Sequence, residues 1–327
     1  MRKLLALLLL PLALLSIPYV AGLVFYRSRR YRRASGWQSY RVPAASPLEL
    51  HYTPMSLCSS KVLMSLVESG LDFRRVEVDI GHFGRFEQLT DSFLAMNPNA
   101  CVPVLVHEGH PVLESHDILA YLSSTLEVAE LAPPPGDTRA QQLMQRWVDR
   151  GSFGDMNGDM RGQLGGAVAI LSYPLFAIDG AYMGLGTLLR ALPHHPQPKI
   201  VLVKILNWFL GTTPPPAAMV RGAFDALEDG LAELAKALDD NGPWLAGERF
   251  THADITWAAN FARLDLLGVL PHFLESYPPL GKYWAALQAR PSFNEVFQKP
   301  LEDSAEMKRL AEVARQAHAR CDADGVR

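Results

Sequence analysis

The chain opens on an unbroken apolar run and then changes period several times. Leu4 to Phe25 carries no charge over 22 residues, the length a helix needs to cross the hydrocarbon core of a bilayer. From Leu48 the pattern alternates. Leu48 and Leu50 share one face of a strand predicted over 48–53, which breaks at Pro54. Val62, Leu63, Leu66 and Val67 fall on one side of a helix predicted from near Ser59 to 69, with Gly70 as its C-cap. Arg75 to Asp79 alternates again, within a strand predicted over 73–79. A looser stretch with a short helix over 84–95 follows. Strands over 102–107 and 111–113 then meet at Glu108-Gly109, and a helix is predicted over 115–125. The order is β-α-β-α-β-β-α, an α/β unit over residues 47–127.

Leu131-Ala132-Pro133-Pro134-Pro135-Gly136 reads as a stiff linker and a domain boundary. Beyond it, over 138–300, the period is helical. Residues 138–150 put Leu143 and Trp147 on one face, and residues 217–239 repeat Phe224, Leu227, Leu231, Leu234 and Leu238 near heptad spacing. That run is too short for a coiled coil and predicts a buried helix face. Thr251 and Asp254, three apart ahead of an apolar run, have the spacing of a capping box, with Phe250 and Ile255 placed to staple it. His252 and Asp254 are therefore expected to be structural. An insertion over 163–213 adds apolar runs at Val168 to Ile178 and Ile200 to Leu210, each too short to span a membrane. Buried helices are the first expectation there, then a lid over a second-substrate pocket, then a surface dipping into lipid. The charged tail, 301–327, is expected to form a peripheral helix that frays.

Charge changes the picture of the N-terminus. Arg27, Arg29, Arg30, Arg32 and Arg33 follow the apolar run, against Arg2 and Lys3 before it. That asymmetry predicts a single transmembrane helix with its basic flank over residues 1–33 and the body in the cytoplasm. The run is long for a signal-peptide core and no small-x-small site follows it, so an uncleaved anchor is expected. Without these 33 residues the chain carries 24 basic against 34 acidic residues, a formal charge of −10, which argues against a nucleic-acid partner. Three cysteines, Cys58, Cys101 and Cys321, make no disulfide framework and suit a reducing compartment. His194-His195 has no Cys or acid at ligand spacing, so no metal is expected.

The chemistry concentrates between Pro54 and Lys61. Ser56 and Cys58 fall where a strand turns into a helix, so the first helical amides and the helix dipole favour an anion there. A thiolate is stabilised in that place, whether it belongs to Cys58 or to a bound thiol. Taken alone, Ser56 also serves as a plain N-cap and Cys58 as a small buried hydrophobe.

Three motifs add to this. Ser-x-Cys-Ser-x-Lys-Val stands at 56–62, Asn-Pro-x-x-x-Val-Pro-Val-Leu at 97–105, and Glu-Ser-x-x-Ile at 114–118. In order and spacing they resemble the N-terminal domain of the cytosolic glutathione transferases. The Ser-Leu-Cys-Ser version resembles the zeta class and the tetrachlorohydroquinone reductive dehalogenase group, the latter also through Val78-Asp79-Ile80-Gly81; Leu57 departs from the zeta pattern. The resemblance implies a thioredoxin-like first domain and an all-α second domain, behind the predicted anchor. It implies a cis Val102–Pro103 bond that turns the Val102 backbone toward the cysteinyl part of glutathione. It implies that Glu114 meets the ligand's ammonium and Ser115, as helix cap, its γ-glutamyl carboxylate. Ser56 would then hold the glutathione sulfur as thiolate for conjugation, isomerisation or reductive dehalogenation of an apolar electrophile, and a homodimer is compatible with the family. For Cys58 two duties stay open, resolving a glutathionyl intermediate or tuning the pocket; Cys101 is expected to be packed. A rival reading is a non-catalytic, membrane-associated binding module of the same fold, favoured by the insertion and the anchor and disfavoured by the intact motifs.

Overall fold

The computed structural model describes residues 34–80, 85–126, 128–153, 164–175, 184–192, 198–210 and 217–323. The predicted anchor, its arginines and His194-His195 lie outside them. Among the described residues no helix is long and apolar enough to cross a membrane.

The first unit is a five-stranded sheet carrying helices. β1 (Gly36–Trp37), β2 (Leu48–Tyr52), β3 (Arg74–Glu77), β4 (Val104–His107) and β5 (His110–Leu113) lie in the order β1-β5-β4-β2-β3. β2 and β3 are parallel, and the other neighbours run antiparallel. Leu50, Val104, Leu105, Val112 and Leu113 are fully buried, and the consecutive buried positions in β4 and β5 show that both faces of the sheet are covered. The helices are α1 (Leu57–Ser69), α2 (Asp91–Met96) and α3 (Ser115–Thr125). Gly70 closes α1 in the left-handed conformation, φ 66°. α1 begins at Leu57, two residues ahead of the expected start, because the Ser56 hydroxyl accepts from the Ser59 amide and draws the first turn back to itself.

β1 was not expected. It belongs to a strap, residues 34–42, laid along the edge of β5. The Gln38 amide donates to the Pro111 carbonyl and the Val42 amide to the Gly109 carbonyl, both at 2.8 Å, and the Tyr40 hydroxyl donates to the Met96 carbonyl.

The second unit is helical: α4 (Thr138–Arg150), α5 (Leu164–Leu171), α6 (Leu185–Ala191), α7 (Pro198–Leu210), α8 (Ala217–Asn241), α9 (His252–Leu266), α10 (Leu270–Ser276) and α11 (Pro278–Gln288), ending in α12 (Ala305–Ala323) after several short turns. α8 buries Phe224, Leu227, Leu231, Leu234 and Leu238, the five positions read from the sequence. It packs closely on α5, since a side chain at Gly230 would run into Leu164. Of the insertion, α6 and α7 pair and form a small separate core of Leu188, Ala191, Leu192 and Val201 against Phe86 of the first unit. They are only half-buried helices, since Leu189 and Leu206 are exposed. The tail differs from the expected frayed helix. Leu310, Ala311 and Ala314 are buried, and the His318 Nε2 donates to the Leu171 carbonyl at 2.8 Å.

The two units share one core, in which α1 packs on α9. Asp254 Oδ2 accepts from the Thr251 amide at 2.8 Å, completing the capping box, and Oδ1 accepts from the Leu245 amide and the Tyr283 hydroxyl at 3.0 Å. His252 joins the units through Ser65 and Ser123; burial pushes its ring down to about 4. Arg290 grips Glu68 of α1 in a two-pronged pair at 2.7 and 2.6 Å. Burial raises the Glu68 carboxyl, but the bonds from Arg290 and Ser292 outweigh it and hold the group below its usual range.

Candidate functional site

Three loops meet at one end of the sheet. The first runs from Thr53 into α1. The Ser56 amide donates to the Thr53 carbonyl at 3.1 Å, and its hydroxyl oxygen takes the Ser59 amide at 3.2 Å, leaving the O–H to donate elsewhere. Cys58 is a free, half-buried thiol in the first turn of the helix. From the second unit, Arg263 Nη2 donates to the Met55 carbonyl at 2.6 Å and holds this loop against α9.

The second loop is Asn97 to Pro103. The Asn97 side chain accepts from the Asn99 amide at 2.9 Å and donates to the Cys101 carbonyl at 2.7 Å. Val102–Pro103 is cis. Val102 lies just ahead of β4, so its backbone stands outside the ladder that begins at Val104. Cys101 is half-buried and its thiol donates to the Asn99 carbonyl.

The third is the start of α3. The helix begins at Ser115 and Glu114 is the N-cap, with φ 71°, a left-handed value rare for a residue with a side chain. Ser115 is therefore the first helical residue and not the cap that the sequence suggested. No side chain caps this end among the described residues, so its first amides remain suited to an anion. Glu114 takes a hydrogen bond on Oε1 from Asn99 Nδ2 at 3.0 Å.

Beneath the loops lies a pair that sequence reasoning missed. Lys61, 2 % exposed, comes one turn after Cys58 on α1, and its Nζ is 3.1 Å from His116 Nε2 on α3. Burial lowers Lys61, with Cys58 opposing. Burial, then the Lys61 charge, push His116 down to about 3. His116 is thus neutral near pH 7, and its Nε2 pairs with the Lys61 amine. The pair lies beneath two helix N-termini, whose first amides and dipoles favour an anion. The spacing of Cys58 and Lys61, three apart on a helix, was the available signal; His116, 55 residues further on, offered none.

The segment bearing Ser56 also borders a cavity of about 90 Å³, walled by Pro54, Met55, Leu57, Ala262, Trp284 and Phe297, with Arg263 and Asp265 as its charged edge. Burial raises the Asp265 carboxyl, and Arg315 opposes it.

Ser56 and Cys58 thus lie at the start of α1 and Glu114 and Ser115 at the start of α3, with Val102 and Pro103 on the loop ahead of β4. Two bonds tie the motifs to one another, Lys61–His116 and Asn99–Glu114.

A thioredoxin-like α/β unit with this arrangement, joined to a helical unit, defines the glutathione S-transferases, and the chain belongs to that family. The family models for the N-terminal and C-terminal domains of glutathione S-transferase match residues 55–125 and 217–286. Among its relatives is glutathione S-transferase TCHQD of Arabidopsis thaliana, 24 % identical over 76 % of this chain and 89 % of that protein. The tetrachloro-p-hydroquinone reductive dehalogenase of Sphingobium chlorophenolicum is 27 % identical over 75 % of this chain and 94 % of that protein. Among solved structures, the beta-etherase LigF of Sphingobium sp. strain SYK-6 superimposes with a TM-score of 0.61 at 26 % identity, covering 78 % of this chain and all of that one.

Proposed function

We propose that the chain is a glutathione-dependent transferase acting on an apolar electrophile, anchored by its N-terminal segment. The observation that carries this is the pair of bonds joining the three motifs, Lys61 to His116 and Asn99 to Glu114. On this reading the two helix starts they join form one anion-favouring site, with the Ser56 hydroxyl, the Cys58 thiol and the Glu114 carboxylate at its rim. In it Glu114 receives the γ-glutamyl ammonium, Ser115 and the α3 amides its carboxylate, and the Val102 backbone the cysteinyl part. The Ser56 hydroxyl donates to the glutathione sulfur and favours its thiolate. That thiolate attacks an electrophilic carbon of a substrate held by the cavity beside Met55 and Leu57.

For a reductive substrate, such as that named for the Sphingobium relative, Cys58 supplies a second step. Its thiolate attacks the sulfur of the glutathionyl substrate, the carbon–sulfur bond breaks, the substrate carbon takes a proton, and a Cys58–glutathione disulfide remains. A second glutathione thiolate then frees Cys58 and leaves as glutathione disulfide.

Calorimetry with glutathione tests the reading. Glu114→Ala is expected to weaken binding by roughly thirtyfold or more, because the ammonium loses its counter-charge. The rate at saturation should change far less. An unmutated chain that takes up no glutathione would sink the proposal and favour the non-catalytic binding module.

The anchor rests on the charge-free run and its five trailing arginines. Fusing alkaline phosphatase and a cytoplasmic reporter in turn to the C-terminus should give activity only from the second. An active phosphatase fusion reverses the orientation and removes the reduced-thiol argument with it.

A further inference from the structure

Asn99 is 1 % exposed and wedged between the strap and the start of α3. Its side chain faces the backbone of Ala34 on both sides: Oδ1 accepts from the Ala34 amide at 3.0 Å and Nδ2 donates to the Ala34 carbonyl at 2.7 Å. The same Nδ2 donates to Glu114 Oε1. An amide group has two orientations, and the flipped one would set Oδ1 against the Glu114 carboxylate, acceptor against acceptor. Ala34 excludes that flip, because its N–H needs the oxygen and its carbonyl needs the nitrogen. The strap in turn is held in register by Gly36 opposite Leu113 and Trp37 opposite Val112, the two positions just before Glu114.

We propose that the strap is a working part of the glutathione site, and that Asn99 is a positioning residue which, locked by Ala34, aims Glu114 at the γ-glutamyl ammonium. This rests on the reading that Glu114 takes that ammonium. It makes glutathione affinity depend on a segment that lies outside both domains matched by the family and directly follows the predicted anchor.

The test uses the full chain, titrated with glutathione and with glutaryl-cysteinyl-glycine, which lacks only the γ-glutamyl amine. Asn99→Ala should weaken glutathione about tenfold, the loss of one hydrogen bond to a charged group. Ala34→Pro, which removes the locking N–H and leaves the Ala34 carbonyl in place, should weaken it by roughly threefold. It also keeps the test alive if Asn99→Ala fails to fold. KM should rise with kcat held within about twofold. The deaminated analogue should bind unmutated chain and variants alike. Equal glutathione affinity in the unmutated chain and both variants overturns the coupling, as does an analogue that loses as much as glutathione, since the site would then be loosened in general. An unmutated chain that binds no glutathione overturns the transferase reading, and this proposal falls with it.

Discussion

Ser56→Ala slows every glutathione-dependent reaction of this chain by roughly ten- to a hundredfold, the worth of one hydrogen bond to a charged acceptor. The fold survives, because the lost N-cap costs only about 1 kcal/mol. The loss should shrink as pH rises and glutathione ionises without help, so the rate measured across pH separates this role from a structural one. Cys58→Ser behaves differently. It should spare simple conjugation and abolish turnover of substrates that must be reduced, leaving a glutathionylated product that mass spectrometry detects. If Cys58→Ser leaves reductive turnover intact while Ser56→Ala alone is crippling, Cys58 resolves nothing and the chain is a serine-type conjugating transferase.

The largest effect on stability falls on Asp254, far from this chemistry. Its carboxylate, fully buried, answers the Thr251 amide and hydroxyl, the Leu245 amide and the Tyr283 hydroxyl. Asp254→Ala leaves those buried donors without an acceptor and should cost roughly 3–5 kcal/mol. Urea unfolding followed by tryptophan fluorescence measures it, and a loss under about 1 kcal/mol would show the capping box to be dispensable. Burial raises this carboxyl from 3.8 to about 6, against the opposing pull of its hydrogen bonds. A raised acid binds its proton more tightly when folded. Its stabilising contribution is therefore full below the ordinary carboxylate value and lost as pH rises through about 6. Asp254→Asn should flatten that part of the stability profile.

Much of this was legible in the chain because periodicity and local motifs report local structure. The predicted helices over 115–125 and 138–150 coincide with α3 and α4, and the α8 stripe is buried as read. Thr251 and Asp254 announced their box by spacing alone. What stayed hidden was contact across distance. Asn99 meets Ala34 across 65 positions and Lys61 meets His116 across 55, and no short-range pattern encodes either. Within the strap only Gly36 and Trp37 form a strand, too short a run to alternate. The tail reads as charged, yet one buried stripe through Leu310 and Ala314 is enough to dock it. Ser115 failed as a cap because Glu114 adopts a backbone conformation that sequence rules reserve for glycine.

The strand order also bears on how copies of this chain meet. An open sheet invites strand addition at its ends. Here one end is closed by β1, whose own outer rim is two residues long and offers a poor template. The other end is β3, where Arg74, Arg75 and Glu77 are exposed and Arg75 is paired with Glu295 of the second unit. A neighbour laying a strand there would have to strip charged side chains of their water and break that pair. β-type association between copies is thereby disfavoured at both margins of the sheet.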